Sequence, residues 1–164
     1  LDIHSHILPK MDDGSSSVEE SLKLLRTSAE QGITEIAATP HFYASQYSPQ
    51  KFLERRASCA AQLQEALTPD LPRVYLGAEV CYFDGVSRID ELEALWIQNT
   101  NILLLEMPFA TSPTSVIPAV SKPGTLPEMK EMPVLMISSP CVPITSPMES
   151  NTVEIQEEYY PPQL

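Results

Sequence analysis

The sequence predicts an α/β protein with a parallel sheet or barrel, and two observations carry this prediction. Over residues 1–107, short apolar runs alternate with longer amphipathic segments in the order β-α-β-α-β-α-β. The amphipathic segments repeat apolar side chains at helical spacing, whereas the apolar runs are short and end at glycine, proline or polar residues. Strands that alternate with helices pair in parallel through right-handed crossovers. We therefore expect an α/β sheet or barrel in this part of the chain.

The amphipathic segments predict three helices, at residues 17–31, 48–67 and 89–97. The first has Ser16 or Ser17 as a candidate N-cap and Gly32 as a candidate C-cap. The second begins with Pro49 in its first turn, where the missing backbone N–H is tolerated. The third is short.

The apolar runs predict four strands, at residues 1–3, 33–39, 74–80 and 101–107. The second strand is expected to stop at Pro40, which has no backbone N–H to continue a ladder. The fourth strand is apolar on both faces, so we expect it to be buried on both sides.

The distribution of proline divides the chain. Of the 16 prolines, five lie in residues 1–107 and eleven in residues 108–164. The proline-rich part has one strand candidate, at residues 134–138, and a composition typical of a disordered or poorly packed tail. We therefore assign the chemistry to the first part.

Charge and cysteine content exclude several classes of protein. The formal net charge of -12 leaves no basic patch for a nucleic-acid backbone. The three cysteines form no CxxC pattern and are odd in number, so a disulfide framework is not expected and a reducing cytoplasm fits best. No apolar run approaches the roughly 20 residues that span a bilayer. Cys59 and Cys81 are predicted to be small core residues rather than nucleophiles.

Side chains that can bind metal ions occur at the end of each predicted strand. His4 and His6 lie two residues apart, so in an extended segment both imidazoles point to the same face. His41, Glu79 and Glu106 follow or end the next three strands. Because the carboxyl ends of parallel strands share one rim, these residues are expected to converge there.

The chemistry of these side chains favours a metal site. Glu79 and Glu106 end apolar strands, where an unpaired charge would cost several kcal/mol to bury unless a cation were present. Asp12 and Asp13 add carboxylates in the loop after the first strand, and for Asp12 we favour the role of a turn-capping residue. Histidine and carboxylate ligands suit Mn²⁺, Fe²⁺ or Zn²⁺. Several such ions together would serve hydrolysis of a phosphate ester.

Four segments of the chain resemble a known family. They are DIHSHILPKMDDG at residues 2–14, EQGITEIAATPH at 30–41, a Gly-Ala-Glu strand end at 77–79 and LLLEMPF at 103–109. Together they resemble the polymerase and histidinol phosphatase (PHP) superfamily, and most closely its bacterial manganese-dependent protein-tyrosine phosphatases of capsular and exopolysaccharide loci. The resemblance covers residues 1–109, which we interpret as a partial PHP domain. Residues 110–164 are interpreted as a tail that follows this domain.

The resemblance implies a distorted barrel with up to three Mn²⁺ ions, or Fe²⁺ or Zn²⁺ in their place. It implies that the ligands are His4, His6, Asp13, His41, Glu79 and Glu106. Glu79 matches the carboxylate that bridges two ions. The implied substrate is the phosphorylated tyrosine tail of the cognate bacterial tyrosine kinase that controls polysaccharide export, and oligomers are compatible with the family.

The chain departs from the family after residue 109. A second half should supply further histidine ligands and an anion-binding arginine, but no histidine follows His41. A frameshift or assembly error, which we favour, and a truncated or rearranged product both account for this change. Two functional alternatives to the tyrosine phosphatase also stay open: a non-catalytic fragment, and a PHP hydrolase of small phosphate monoesters.

Overall fold

The computed structural model describes residues 1–107 and the backbone of residues 134–137. In chain order the elements are β1 (Asp2–Ser5), α1 (Val18–Glu30), β2 (Glu35–Ala38), β3 (His41–Phe42), α2 (Pro49–Gln64), β4 (Arg73–Leu76), β5 (Glu79–Cys81), two 3₁₀ turns (Val86–Arg88 and Leu92–Leu95), β6 (Leu103–Glu106) and β7 (Val134–Ile137). The alternation of strands and helices confirms the predicted α/β class.

Every strand pairing within the described residues is parallel. One ladder has the order β1-β2-β4 and the other β3-β5-β6-β7. Backbone hydrogen bonds continue from one ladder to the other, because the Gly77 N–H donates to the Ala38 carbonyl at 2.8 Å and the Glu79 N–H donates to the Pro40 carbonyl at 3.0 Å. The carboxyl ends of the strands therefore lie on one side of a continuous parallel surface. Closure of this surface into a barrel stays a prediction.

Two of the predicted strands are interrupted. The prediction that the second strand ends at Pro40 is only partly right, because the chain resumes as β3 directly after this proline. The predicted strand at residues 74–80 is split into β4 and β5 at Gly77. A Cβ at Gly77 would lie 3.1 Å from the Ile97 side chain and 3.2 Å from the Thr39 side chain, so a larger residue would require these side chains to move by a few tenths of an ångström.

The two long helices begin where the sequence predicts. Ser17 caps α1 by accepting a hydrogen bond from the Glu20 N–H at 3.2 Å, and Ser48 caps α2 in the same way. Gln31 is the C-cap of α1, and Gly32 follows it in the left-handed conformation (φ 82°) that glycine adopts without strain.

The third predicted helix is wrong. One 3₁₀ turn, Leu92–Leu95, occupies this region instead, and Trp96 ends it in an extended conformation. The other 3₁₀ turn, Val86–Arg88, lies just before the region. Leu92 and Leu95 are both buried and lie three residues apart, a spacing that superposes side chains in a 3₁₀ turn. The 3₁₀ turn therefore buries both leucines on one face.

The core lies between the sheet and the helices. It includes Leu25 of α1, Phe52 and Leu63 of α2, and inward side chains of the strands such as Val80 and Leu105. Within the described residues, neither helix has the length and apolar character needed to cross a membrane.

The strand predicted at residues 134–138 is confirmed as β7, which pairs in parallel with β6 from Leu103↔Val134 to Glu106↔Ile137. This strand lies within the segment interpreted as a tail. The remaining tail residues, 110–133 and 138–164, lie outside the described residues, so the predicted disorder of the tail stays a prediction.

Candidate metal centre

The interruptions in the strands position the central ligands. After the break at Pro40, His41 opens β3, and after the break at Gly77, Glu79 opens β5. These two residues lie directly opposite each other in the parallel register, and Glu106 lies opposite Cys81 on the next strand pair. The sequence analysis predicted that Glu79 lies at the end of one continuous strand. In the structure Glu79 instead begins the short strand β5.

All six sequence-predicted residues come together at this edge of the sheet. They form three overlapping groups whose ligand atoms lie within 4.8 Å of one another: His4, His6 and Glu79; His6, Asp13 and His41; and His41, Glu79 and Glu106. His6, His41 and Glu79 each belong to two groups, so neighbouring groups share a side chain.

The first group joins the end of β1 to β5. The Nε2 atoms of His4 and His6 lie 3.1 Å apart, as expected for two residues on one face of a strand end. Both nitrogens face the Oε2 atom of Glu79, at 3.2 Å from His4 and 3.3 Å from His6. Two imidazole nitrogens and one carboxylate oxygen thus point to a common centre.

The other two groups share His41. Its Nε2 atom lies 3.6 Å from Asp13 Oδ1, while its Nδ1 atom lies 3.0 Å from Glu79 Oε2 and 3.5 Å from Glu106 Oε2. The two nitrogens of one imidazole therefore face two different carboxylate clusters. Tyr43, which the sequence analysis did not single out, stacks its ring on His41 with centroids 5.3 Å apart.

The exposure of the candidate ligands to solvent differs across the site. Glu79 and Glu106 are each only 1% exposed, whereas the side chain of Asp13 is 57% exposed and that of His4 is 34% exposed. Ligands on the buried side can be held rigidly by the sheet, and the side formed by His4 and Asp13 is accessible to a molecule from solution.

The environment of Glu79 fits a cation. Its buried Oε2 atom makes no hydrogen bond of regular geometry, although imidazole nitrogens of His4, His6 and His41 lie 3.0 to 3.3 Å away. Burial raises the pKa of Glu79, but the three neighbouring imidazoles outweigh burial and hold the pKa well below the usual value. A carboxylate oxygen surrounded by three imidazole nitrogens is a donor set that suits Mn²⁺, Fe²⁺ or Zn²⁺.

Protons take part in the same interactions. Burial lowers the pKa of His6, but the hydrogen bond with Asp12 and the nearby Glu79 carboxylate outweigh burial and raise the pKa to about 9. Burial likewise lowers the pKa of His41, but the nearby carboxylates of Glu106 and Glu79 raise it to about 10. Both imidazoles are therefore protonated on both ring nitrogens at neutral pH, and a bound metal ion would have to displace one proton from each ring.

Asp12 has more contacts than its predicted role requires. Its Oδ1 atom accepts a hydrogen bond from the Gly14 N–H at 3.1 Å, which is the turn-capping role. Its Oδ2 atom also accepts hydrogen bonds from His6 Nδ1 at 2.7 Å and from the His41 N–H at 3.0 Å. The sequence contained no long-range signal for these contacts.

Comparison with known proteins gives a consistent result. Residues 1–123 match the profile of the family described as capsular polysaccharide synthesis, CpsB/CapC. The chain is 32% identical over 151 residues to tyrosine-protein phosphatase YwqE of Bacillus subtilis, a match that covers 83% of this chain and 59% of YwqE. It is 31% identical over 114 residues to tyrosine-protein phosphatase CpsB of Streptococcus pneumoniae, covering 68% of this chain and 46% of CpsB.

A solved structure shares the fold. One chain from the crystal structures of YwqE from Bacillus subtilis and CpsB from Streptococcus pneumoniae, described as metal-dependent tyrosine phosphatases, superposes with a TM-score of 0.54 at 30% identity. The match covers 70% of this chain and 47% of that chain. The chain thus spans about half the length of the curated relatives it matches.

Proposed function

The chain belongs to the capsular polysaccharide synthesis CpsB/CapC family, and from this premise we propose that it carries metal ligands of a metal-dependent protein-tyrosine phosphatase. The proposed ligands are His4, His6, Asp13, His41, Glu79 and Glu106. The family resemblance predicted from the sequence is confirmed by the profile match.

The observation that carries the proposal is the sharing of side chains between ligand groups. Glu79 Oε2 faces both the His4 and His6 pair and the Nδ1 atom of His41. Glu79 would therefore contribute to two ion sites, one with His4 and His6 and one with His41 and Glu106. A neutral imidazole has one free ring nitrogen, so His41 would join either that second site through Nδ1 or a site with Asp13 through Nε2. We propose Mn²⁺ as the metal, with Fe²⁺ and Zn²⁺ as the alternatives that suit the same donors.

Each part of the site has a separate task in the proposed reaction. When bound, the cations supply a water nucleophile of lowered pKa and neutralise the phosphoryl oxygens. Glu79 and Glu106, held in the interior by β5 and β6, would fix the positions of the ions. His4 and Asp13 would border the side from which an anionic phosphate ester enters. The cations would also offset the repulsion between that ester and a chain with a formal net charge of -12.

The proposed substrate is phosphotyrosine in a protein, and the proposed protein is a bacterial tyrosine kinase that acts in capsule or exopolysaccharide synthesis. The names of the relatives, which are tyrosine-protein phosphatases, and the description of the family support this choice. The buried free thiols of Cys59 and Cys81 support a cytoplasmic location.

We further propose that residues 1–109 are part of a catalytic domain and that residues 110–164 are the proline-rich tail that follows it. The proline distribution supports this boundary. The profile match to residue 123 and the pairing of β7 with β6 favour a family-like segment that continues past it.

The proposal is tested by hydrolysis of a phosphotyrosine peptide by the 164-residue chain in the presence of Mn²⁺. We expect phosphate release that requires the metal, is abolished by EDTA and is lost in His6→Ala. Gln62→Ala, an exposed change on α2, is the matched control and should leave the rate unchanged. Release that persists in EDTA and in His6→Ala would overturn the proposal.

A non-catalytic fragment is the second candidate, favoured by the coverage of only 59% and 46% of the two relatives. Bulk metal analysis in the same experiment separates the two functions. A folded chain that retains less than one ion and releases no phosphate is a fragment, whereas retained Mn²⁺ with turnover identifies the enzyme. Comparing the phosphotyrosine peptide with small phosphate monoesters distinguishes a protein phosphatase from a small-molecule hydrolase.

A further inference from the structure

The loop after β1 is folded tightly against His6. The Ser15 N–H donates a hydrogen bond to the His6 carbonyl at 2.9 Å, and the Lys10 N–H donates to the Ser15 carbonyl at 2.8 Å. Leu8 and Met11, which belong to this loop, pack into the hydrophobic core and hold the loop against the domain. The loop therefore returns to the residue from which it started.

Gly14 permits this return. A Cβ at position 14 would collide with the carbonyl oxygen and the Cβ of His6, so only glycine allows the loop backbone to lie on His6. Asp12 lies two residues before this contact, and its side chain is only 4% exposed. The folded loop thus brings a buried carboxylate to the edge of the His6 ring.

The Asp12 carboxylate joins three segments that carry proposed ligands. Oδ2 accepts from the ring Nδ1 of His6 at 2.7 Å and from the backbone N–H of His41 at 3.0 Å, and Oδ1 accepts from the Gly14 N–H at 3.1 Å. These donors belong to the end of β1, the start of β3 and the loop that contains Asp13. One side chain thereby links the histidines that are shared between the ligand groups.

We propose that Asp12 is a positioning residue of the metal centre, which orients the His6 ring and sets the distance between the β1 and β3 ligands. This inference rests on the proposed function. Asp12 itself touches no ligand centre, because the three groups contain Asp13 rather than its neighbour.

The orientation follows from the hydrogen-bonding capacity of the two partners. A carboxylate only accepts, so the Nδ1 atom of His6 must donate and must carry the proton. In the neutral ring this leaves the lone pair on Nε2, the atom that faces His4 and Glu79. Metal-binding histidines commonly donate their other ring N–H to a carboxylate, which fixes the tautomer and the angle of the ring.

The bond to His41 adds a second effect. Because Asp12 holds the backbone of His41 rather than its ring, it fixes where β3 begins while leaving both ring nitrogens to face Asp13, Glu79 and Glu106. Loss of Asp12 should therefore disturb the two groups that contain His6 most and the group of His41, Glu79 and Glu106 least.

The competing interpretation is that Asp12 only caps the turn at Gly14. The two interpretations differ in what happens to His6, so the test compares Asp12→Ala with Asp2→Ala in the 164-residue chain. Asp2 is a matched control, since its carboxylate also accepts a backbone N–H, that of His4 at 3.1 Å, but touches no imidazole in the described residues. Pairing of β1 with β2 on both sides of His4 holds this ligand without Asp2, whereas no such pairing holds the His6 ring. Mn²⁺ affinity is measured from free Mn²⁺ by electron paramagnetic resonance.

Removal of a carboxylate that orients a metal-binding histidine weakens metal binding by about 10- to 100-fold. We expect a loss of this size in Asp12→Ala and affinity like that of the unmodified chain in Asp2→Ala. Equal affinity of the Asp12→Ala and unmodified chains would contradict the inference alone. An unmodified chain that binds no Mn²⁺ would contradict the proposed function and this inference with it.

The decisive outcome of a second measurement comes from the unmodified chain, so it does not require Asp12→Ala to fold. In the Zn²⁺-loaded unmodified chain, proton NMR should show a strongly downfield, slowly exchanging Nδ1–H resonance, assigned to His6 by its absence in His6→Gln. The resonance should persist in Asp2→Ala and disappear in Asp12→Ala. If the unmodified chain instead carries the His6 proton on Nε2, the inference is wrong whatever the variants do.

Discussion

His41 and Glu79 are register partners across the parallel pair β3 and β5, and the Nδ1 atom of His41 lies 3.0 Å from the Oε2 atom of Glu79. Both residues begin their strand segments directly after a break in the ladder, at Pro40 and at Gly77. Because both strand segments restart after these breaks, an imidazole and a carboxylate that are 38 positions apart in sequence lie side by side in the parallel register. Their pairing forms the middle of the ligand cluster.

The first prediction concerns Glu79 as a shared ligand. Glu79→Gln keeps the shape of the side chain but removes the negative charge that faces three imidazoles. Because Glu79 belongs to two ligand groups, we expect Mn²⁺ affinity to fall by at least about tenfold and the number of retained ions to drop. Metal content after gel filtration measures the loss.

Glu30→Gln is the control for this change, since it removes the same charge from an exposed position at the end of α1. It should retain as much metal as the unmodified chain. If Glu79→Gln also retains the full metal content, Glu79 does not bridge ions.

The second prediction is that metal binding weakens as the pH falls. The pKa values of about 9 for His6 and about 10 for His41 mean that both rings are protonated in the metal-free chain at pH 7. Metal ligation requires neutral rings, so binding must release protons. Calorimetric titration with Mn²⁺ in buffers of different ionisation enthalpy should show proton release at pH 7 that declines as the pH rises through this range.

The same pKa values determine how pH affects the stability of the EDTA-treated chain. For both histidines the folded pKa lies above the ordinary value of 6.5, so their contribution is fully present below that pH and is lost as the pH rises to 9 and 10. Urea denaturation should therefore show these contributions disappearing over this interval. Calorimetry that finds no proton release at pH 7 would contradict the raised pKa values of His6 and His41. Stability that increases between pH 6.5 and pH 10 would contradict them as well.

Much of this site could be predicted because it depends on topology. Parallel strands bring their carboxyl ends to one edge, so His4, His6, His41 and Glu106 could be placed together from the order of elements alone. The same reasoning gives no account of register. That His41 lies opposite Glu79, rather than one residue away, depends on the packing at Gly77, which no local pattern reveals.

Asp12 could not be recognised for a similar reason. The aspartate two residues before a glycine has a sufficient local explanation as a turn cap, and that hydrogen bond does form. Its bonds to His6 and His41 depend on how the loop folds over buried side chains. The sequence pattern also failed at residues 89–97, where the 3₁₀ turn Leu92–Leu95 replaces the predicted helix.

The third prediction separates this site from phosphatases that use a cysteine nucleophile. Cys59 and Cys81 are buried, and burial raises the pKa of the Cys59 thiol, so neither is a ready nucleophile. Iodoacetamide should modify both slowly in the native chain and rapidly in urea, as followed by peptide mass spectrometry. Metal-dependent phosphate release should be unchanged after native-state treatment. Loss of activity in step with alkylation of either residue would contradict the metal mechanism.

The fourth prediction concerns Arg56, which ties α2 to the break that precedes Glu79. Arg56 is 8% exposed, and its guanidinium donates to the Gly77 carbonyl at 2.7 Å and to the Ala94 carbonyl at 2.8 Å. Burial lowers its pKa to about 10, so the side chain stays charged at neutral pH. Arg56→Met leaves both carbonyls without this donor.

We expect Arg56→Met to lower the free energy of unfolding by about 1–3 kcal/mol, the range for losing hydrogen bonds from a charged donor to buried acceptors. Arg26→Met, at an exposed position of α1, is the control and should change it little. Urea denaturation of the EDTA-treated chains compares the two without a contribution from bound metal. Because Gly77 lies two residues before Glu79, the Arg56 variant should also bind Mn²⁺ more weakly, whereas equal stability and affinity would show that this break is held by other contacts.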